Sequence, residues 1–192
     1  MTANYLHAML GETARRMQAE AGSRATYAAM EARANAMPDP LGPREAAFIA
    51  ARDSCYIASV TADGWPYVQH RGGPPGFLRV LDSGQIGFAD FRGNRQYMSA
   101  GNIAALGRVA LFLMNYPARQ RLKIIGHARR MTLADDADAV MRLMPEGYEA
   151  AAEGAVLIDV VAFDWNCPQH ITPRWTAAEL HTMRKDDQWP EI

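Results

Sequence analysis

The chain of 192 residues carries 20 basic and 21 acidic side chains, has a net charge of −1, and is 49% hydrophobic. This size and composition predict one globular domain with its own apolar core. A nearly balanced charge gives no long-range field that would attract nucleic acid or an anionic membrane, so we expect neither partner. Any anion-binding site must therefore be local.

The two cysteines, Cys55 and Cys167, are far apart in sequence and form no CxxC pair. Neither a disulfide framework nor a zinc site is expected from them. The first residues lack the basic stretch and apolar run of a secretory signal. The apolar stretches at residues 109–114 and 155–163 are too short to span a bilayer. These features predict a cytoplasmic protein.

The N-terminal part of the chain has a helical composition. Residues 5–36 are rich in Ala, Met, Arg and Glu, with apolar side chains near helical spacing, and Gly22 is expected to divide them into two helices. A Pro-rich connector follows, and a short helix is expected over residues 43–51. We therefore divide the chain into an arm with its connector, residues 1–42, and a main domain, residues 43–192.

The main domain has the pattern of antiparallel strands. Asp-Gly and Ser-Gly turns separate short runs of strand-forming residues, as in hairpins. Strands and helices do not alternate regularly, so a mainly β (α+β) fold with helical additions is expected, built on an antiparallel barrel. The predicted strands are residues 54–61, 66–71, 77–81, 85–91, 108–115, 119–132 and 155–165, and the predicted helices are residues 95–100, 134–143, 146–152 and 177–185.

A basic stripe lies on the strand over residues 119–132. Alternate strand residues share a face, so Arg119, Arg121 and Lys123 are expected to point the same way, about 6.6 Å apart. A solvated barrel exterior explains such a stripe, because charged residues usually face water. The adjacent apolar residues instead favour a partly buried stripe, where a bound anion would relieve the repulsion. Both interpretations stay open.

A second cationic position lies in a turn after a strand. Gly93 permits a tight turn, Asn94 is a plausible N-cap for the next helix, and Arg95 would fall in its first turn. A cation is unfavourable there against the helix dipole. A helix N-terminus with an arginine suits a phosphate, but a merely exposed arginine explains the sequence equally well.

A third position lies at Gln69, His70 and Arg71, where a strand runs into a Gly/Pro-rich loop. Gln69 and Arg71 share one face of the strand, and His70 takes the other. The glycines either allow close approach of a ligand or serve only the turn. Their spacing matches neither a Walker loop nor a GxGxxG motif.

The last candidate is the loop after the long C-terminal strand, which holds Trp165, Gln169 and His170. Loops on a rigid scaffold often carry binding residues. The alternative is that Trp165 and Trp175 only anchor the loop. A nucleophilic Cys167 is less favoured than this anchoring role, because no His and carboxylate pair in the sequence is identifiable as its base.

The order of these motifs resembles the pyridoxamine 5'-phosphate oxidase-like FMN-binding split-barrel family. The resemblance covers residues 43–175. The motifs that carry it are Gln69-His70-Arg71, Phe88-Ala89-Asp90-Phe91, Gly93-Asn94-Arg95-Gln96 and Arg121-Leu122-Lys123-Ile124 with Gly126.

The resemblance implies a six-stranded split β-barrel and a homodimer with FMN at the subunit interface. Gln69 and Asn94 stand where the oxidases carry basic residues, and Arg121 stands where the family often has a flavin-contacting Gln. Trp165, Gln169 and His170 are candidates for the ring edge or the substrate side. The full set assigned to the cofactor is Gln69, His70, Arg71, Phe88, Ala89, Asn94, Arg95, Gln96, Arg121, Lys123, Trp165, Gln169 and His170.

The expected function is that of an FMN-dependent oxidoreductase acting on an unknown small molecule, with NADH or NADPH as a candidate reductant. No catalytic residue and no metal are assigned. Residues 185–192 lack the basic, histidine-containing motif with which the oxidase grips its substrate, so pyridoxamine 5'-phosphate is expected to be a poor substrate. One alternative is a flavin-binding sensor or carrier without turnover. Another is a haem-binding split barrel with His70, His127 or His170 as axial ligand.

Overall fold

Seven strands, all paired antiparallel, form the framework of the protein. The computed structural model describes residues 2–35, 37–165 and 168–185. The strands are β1 (Ser54–Val60), β2 (Pro66–Gly72), β3 (Arg79–Val80), β4 (Gln85–Phe91), β5 (Arg108–Asn115), β6 (Gln120–Thr132) and β7 (Ala152–Trp165). The helices are α1 (Ala3–Met9), α2 (Glu12–Glu20), α3 (Arg24–Glu31), α4 (Pro43–Ala50), α5 (Met98–Leu106), α6 (Leu133–Arg142) and α7 (Ala177–Lys185).

The strands hydrogen-bond into one sheet in the order β2-β1-β5-β6-β7-β4-β3. The expected mainly β fold with helical additions is confirmed, although the two-residue β3 makes the strand count seven instead of six. No helix in the described part of the chain is long and apolar enough to cross a membrane.

The sheet encloses an apolar core, to which its strands contribute alternate side chains. Ile57, Leu111, Leu122, Ile124 and Ile158 are at most 2% exposed and belong to one cluster on the inner face. Burial of such side chains stabilises the fold by roughly 1.5–3 kcal/mol each. A smaller cluster, which includes Val140 and Leu157, packs α6 against the sheet.

The two ends of the sheet are joined by a charged contact. Arg71 on β2 donates to Asp90 on β4 over 3.2 Å, and Arg130 on β6 donates to the other oxygen of Asp90 over 2.9 Å. Because β2 and β4 are not neighbours in the sheet, this contact holds the curled sheet in its barrel shape.

The N-terminal arm is helical, as expected, but it consists of three helices rather than two. A break at Leu10 and Gly11 adds to the expected break at Gly22. Tyr5 and Leu6 of α1 are buried, and the Thr2 hydroxyl donates to Asp39 and to the backbone oxygen of Phe163. The first helix therefore packs on the barrel of its own chain.

Two predicted helices differ from the structure. The helix expected over residues 146–152 is absent, because Gly147 adopts a left-handed conformation (φ 68°) and β7 already begins at Ala152. The helix expected at residues 95–100 begins only at Met98. Residues 92–97 instead form an irregular loop, which we call the β4–α5 loop.

A buried ion pair lies beneath the arm. Asp164 is 1% exposed and lies 2.8 Å from the ammonium group of Lys123, which in turn sits 4.7 Å from the centre of the Tyr5 ring. A buried carboxylate needs a compensating charge, and Lys123 provides one. Because Lys123 also contacts Tyr5 of α1, it helps to hold the arm against the sheet.

We expect Lys123→Met to lower the free energy of unfolding by about 2 kcal/mol, since it removes a partner of a buried carboxylate. Arg16→Met is the control, because Arg16 and Glu20 form an exposed pair at 3.9 Å. Such a pair contributes less than about 0.5 kcal/mol. Chemical denaturation of both variants measures the difference, and equal small losses would contradict the structural role of Lys123.

Candidate functional site

An open cleft lies between the inner face of β2 and the β4–α5 loop. Its empty volume, which includes open solvent at the mouth, is about 460 Å³. Five of the residues predicted to bind the cofactor line it, namely Gln69, Arg71, Asn94, Arg95 and Gln96. Tyr67, Asp90, Tyr97, Ser99 and Glu153 complete its polar lining.

The alternation of β2 decides which side chains reach this cleft. Gln69 and Arg71 pair with Ile57 and Cys55, which are both buried, so they point to the inner side of the sheet. His70 points to the outer side, where its ring lies 5.8 Å from that of Tyr56. The expected division of this motif between two faces is confirmed, and it removes His70 from the cleft.

The arginine in the cleft is incompletely paired. Arg71 and Arg130 share the single carboxylate of Asp90, so this group of three has a surplus positive charge. The Nε–H of Arg71 is buried and has no hydrogen-bond partner among the described residues. A buried donor without an acceptor is costly. The site therefore favours a ligand that brings negative charge and acceptor oxygens.

The β4–α5 loop differs from the sequence prediction. Asn94 is not a helix N-cap; its side-chain oxygen accepts from the backbone N–H of Gln96 over 3.2 Å. Tyr97, directly before the helix, adopts a left-handed conformation. Arg95, within the loop, also has a left-handed backbone (φ 59°). Arg95 therefore does not oppose a helix dipole.

A second set of charges surrounds Glu153. Its carboxylate lies 3.1 Å from Arg92 and 3.6 Å from Arg95, and both arginines are about 60% exposed. Asp90 pairs with Gly154 and Phe91 with Ala152, so Glu153 is the extra residue of a β-bulge. Bulges re-aim a side chain. Glu153 faces the cleft for this reason.

The cations of β6 lie elsewhere. Arg121 pairs with Met114 and Lys123 with Phe112, and these strand partners lie on the outer face together with Tyr56 and His70. Arg121 and Lys123 are thus separated by the sheet from Gln69 and Arg71. The stripe is shorter than predicted, because Arg119 precedes the strand in a left-handed conformation.

Phe88 and Ala89 of the second motif are core residues. They are 2% and 3% exposed, respectively. The guanidinium of Arg71 lies 5.9 Å above the Phe88 ring. Phe88 therefore supports the cleft from beneath, and neither residue lines it.

The C-terminal candidates do not line the cleft either. Trp165 donates to Glu45 over 2.6 Å and packs edge-on against Phe48 at 4.8 Å. This supports the alternative that Trp165 is an anchor. Gln169 and His170 are exposed, and Cys167 lies outside the described residues.

Neither a metal-binding cluster nor an activated thiol is found among the residues that the structure describes. No group of three or more His, Cys, Asp or Glu residues there is suited to hold a metal ion. Burial raises the pKa of the Cys55 thiol to about 12, even though Arg71 nearby acts in the opposite direction. The thiol therefore stays protonated at neutral pH and is a poor nucleophile.

The cleft also contains residues that the sequence analysis missed. Tyr67 shares the inner face of β2 with Gln69, so strand alternation alone would have identified it. Glu153 falls between the predicted helix and the predicted strand, and its position in the cleft depends on a bulge. Ser99 reaches the cleft only because α5 begins three residues later than expected.

The fold and the cleft define an antiparallel split-barrel protein with a positively charged cleft. Comparison with family models agrees: the model described as pyridoxamine 5'-phosphate oxidase matches residues 41–166. The chain belongs to this family. No curated protein matches it in sequence.

Solved structures confirm the fold. HupZ of Group A Streptococcus has a TM-score of 0.54 and 14% identity, with 70% of this chain and 100% of that chain covered. A putative pyridoxamine 5'-phosphate oxidase from Lactobacillus delbrueckii has a TM-score of 0.51 and 20% identity, with 66% and 94% covered. Both are similar to this chain in architecture.

Proposed function

We propose that the protein binds FMN, with the phosphate in the cleft beside Arg71, and acts as an FMN-dependent oxidoreductase on a small molecule. The observation that carries the proposal is the Arg71, Asp90 and Arg130 group, with its surplus positive charge and the buried, unpartnered Nε–H of Arg71. A phosphate monoester supplies the charge and the acceptor oxygens that this group lacks. Membership of the family supports FMN as its carrier.

The residues of the cleft fit a phosphate despite two nearby carboxylates. Asp90 already has two arginine partners. The contact between Arg95 and Glu153 is long, at 3.6 Å, and exposed, so it is weak. Arg95 can therefore bind a phosphate instead of Glu153, while Glu153 remains paired with Arg92. Gln69, Asn94 and Gln96 add neutral polar groups around the same space.

FMN, when bound, supplies the electron transfer, and the chain supplies binding and orientation. Gln69, Arg71 and Arg95 hold the phosphate end. This anchoring fixes the position of the ring relative to a substrate. Gln169 and His170 remain candidates for the substrate side because they are exposed, whereas Trp165 is occupied by Glu45.

The two faces of the sheet support the proposal of a site shared between two subunits. Arg121 lies on the outer face, with its Nε–H also buried and unpartnered among the described residues. One flavin cannot contact Arg121 and Arg71 of the same chain when the sheet separates them. We propose that Arg121 of each subunit completes the site of the other in a homodimer.

We expect purified protein to bind FMN more tightly than riboflavin, and Arg95→Gln to weaken FMN binding by about one to two decades while riboflavin binding is unchanged. A charged hydrogen bond to a phosphate contributes about 1.5–3 kcal/mol. Arg92→Gln is the matched control, since Arg92 also pairs with Glu153 but does not line the cleft. Fluorescence titration of apo-protein measures the affinities of the wild-type protein and both variants for FMN and for riboflavin. Equal losses for Arg92 and Arg95 would show that only the Glu153 network matters.

Mixing two damaged subunits tests the shared site. Arg95→Gln and Arg121→Gln subunits should each bind FMN weakly as homodimers. Refolded together, they should regain a fraction of tight sites, because a mixed dimer has one site with both arginines intact and one with neither. Titration of the mixture against each variant alone measures this. If mixing restores nothing, each site is built from a single chain.

Turnover separates an enzyme from a flavin carrier. We expect the FMN-loaded protein to be reduced by NADH or NADPH in the absence of air, and to be reoxidised by an electron acceptor. Loss and return of the visible flavin absorbance follow the two steps. Flavin that neither nucleotide reduces faster than free FMN would identify a binding protein without this activity. Pyridoxamine 5'-phosphate is included as a substrate and is expected to react poorly.

A further inference from the structure

We propose that Ser99 is a positioning residue, whose hydroxyl turns the side-chain amide of Gln69 so that its nitrogen faces the phosphate. The inference rests on the proposed function. Ser99 lies in the first turn of α5, is 4% exposed, and donates from Oγ to Oε1 of Gln69. Both residues line the cleft.

The orientation matters because an amide has two unlike ends. The nitrogen of Gln69 donates hydrogen bonds, whereas its oxygen only accepts them and would repel a phosphate oxygen. The hydroxyl of Ser99 donates a hydrogen bond to the amide oxygen of Gln69, and no described residue accepts a hydrogen bond from its Nε2. The two hydrogens on Nε2 are therefore available to a ligand. In this way Gln69, although neutral, can donate hydrogen bonds to an anion bound next to Arg71.

The rest of α5 shows what a purely structural contact of the same kind looks like. One turn further on, Asn102 donates to the hydroxyl of Ser59 on β1 over 3.0 Å. Ser59 is 3% exposed, so it is as buried as Ser99. Neither Ser59 nor Asn102 lines the cleft. The two contacts hold the same helix to the same hairpin, but only one of them ends on a residue that faces the ligand.

The two serines provide a matched pair of variants. We expect Ser99→Ala to weaken FMN binding roughly three- to tenfold and riboflavin binding less than about twofold, because the orientation acts on the phosphate. Ser59→Ala should leave the ratio of the two affinities unchanged, even if both variants lower the melting temperature equally. The readout is the ratio of FMN to riboflavin affinity, measured by fluorescence titration of apo-protein.

A double-mutant cycle tests the mechanism. In a Gln69→Ala background, Ser99→Ala should cause no further loss of FMN affinity, because the group that it orients is gone. Additive losses would overturn the proposal, and so would an unchanged affinity ratio in Ser99→Ala.

Gln69→Glu gives a separate test that does not require the Ser99 variant to fold. It keeps the size of the side chain and the acceptor for Ser99, but replaces the donating nitrogen by an oxygen. FMN binding should fall at least as far as in Gln69→Ala, and wild-type affinity in Gln69→Glu would overturn the inference. A wild-type protein that does not prefer FMN over riboflavin would instead contradict the proposed function itself.

Discussion

The carboxylate of Asp90 is the point on which both the barrel and the cleft depend. It receives Arg71 from one end of the curled sheet and Arg130 from the middle of it, and all three side chains are less than a quarter exposed. Two guanidinium groups this close would repel each other without it. Because one carboxylate cannot neutralise both, the contact that closes the sheet also leaves a positive charge beside the cleft. Closure of the fold and the surplus positive charge beside the cleft are thus two effects of one interaction.

The two faces of the sheet explain why the predicted cofactor residues separate into groups. Successive residues along a strand place their side chains on opposite faces of the sheet. Gln69 and Arg71 therefore share the cleft, while His70 between them does not. Arg121 and Lys123 are on the outer face for the same reason, and Lys123 is engaged with Asp164 beneath the arm. A motif that is continuous in sequence is here divided between surfaces that no single ligand can contact in one chain.

Local sequence patterns were sufficient for the strands but not for the loop that completes the cleft. Alternation and Gly turns identified β4 and β5 to the residue, because these features act between near neighbours in the chain. The start of α5 was misplaced by three residues, since Asn94 forms a turn with Gln96 instead of capping the helix. Glu153 depends on a bulge between β4 and β7, which are distant in sequence. The sequence left open whether Trp165 anchors the loop or contacts a ligand, because its bond to Glu45 spans 120 residues and leaves no local trace.

The backbone of the β4–α5 loop adopts conformations of high free energy. Arg95 and Tyr97 are two of the four non-glycine residues with positive φ in the described part of the chain, and both lie within this loop. Such conformations cost about 1–3 kcal/mol each and persist only where the surroundings enforce them. Here α5, held to the β1–β2 hairpin through Ser99 and Asn102, fixes the end of the loop. A loop held in this way is already ordered before a ligand arrives. The free energy of binding therefore does not have to offset the entropy that the loop would lose on ordering. This ordering of the free protein favours binding, because it keeps Arg95 beside the space that a phosphate would fill.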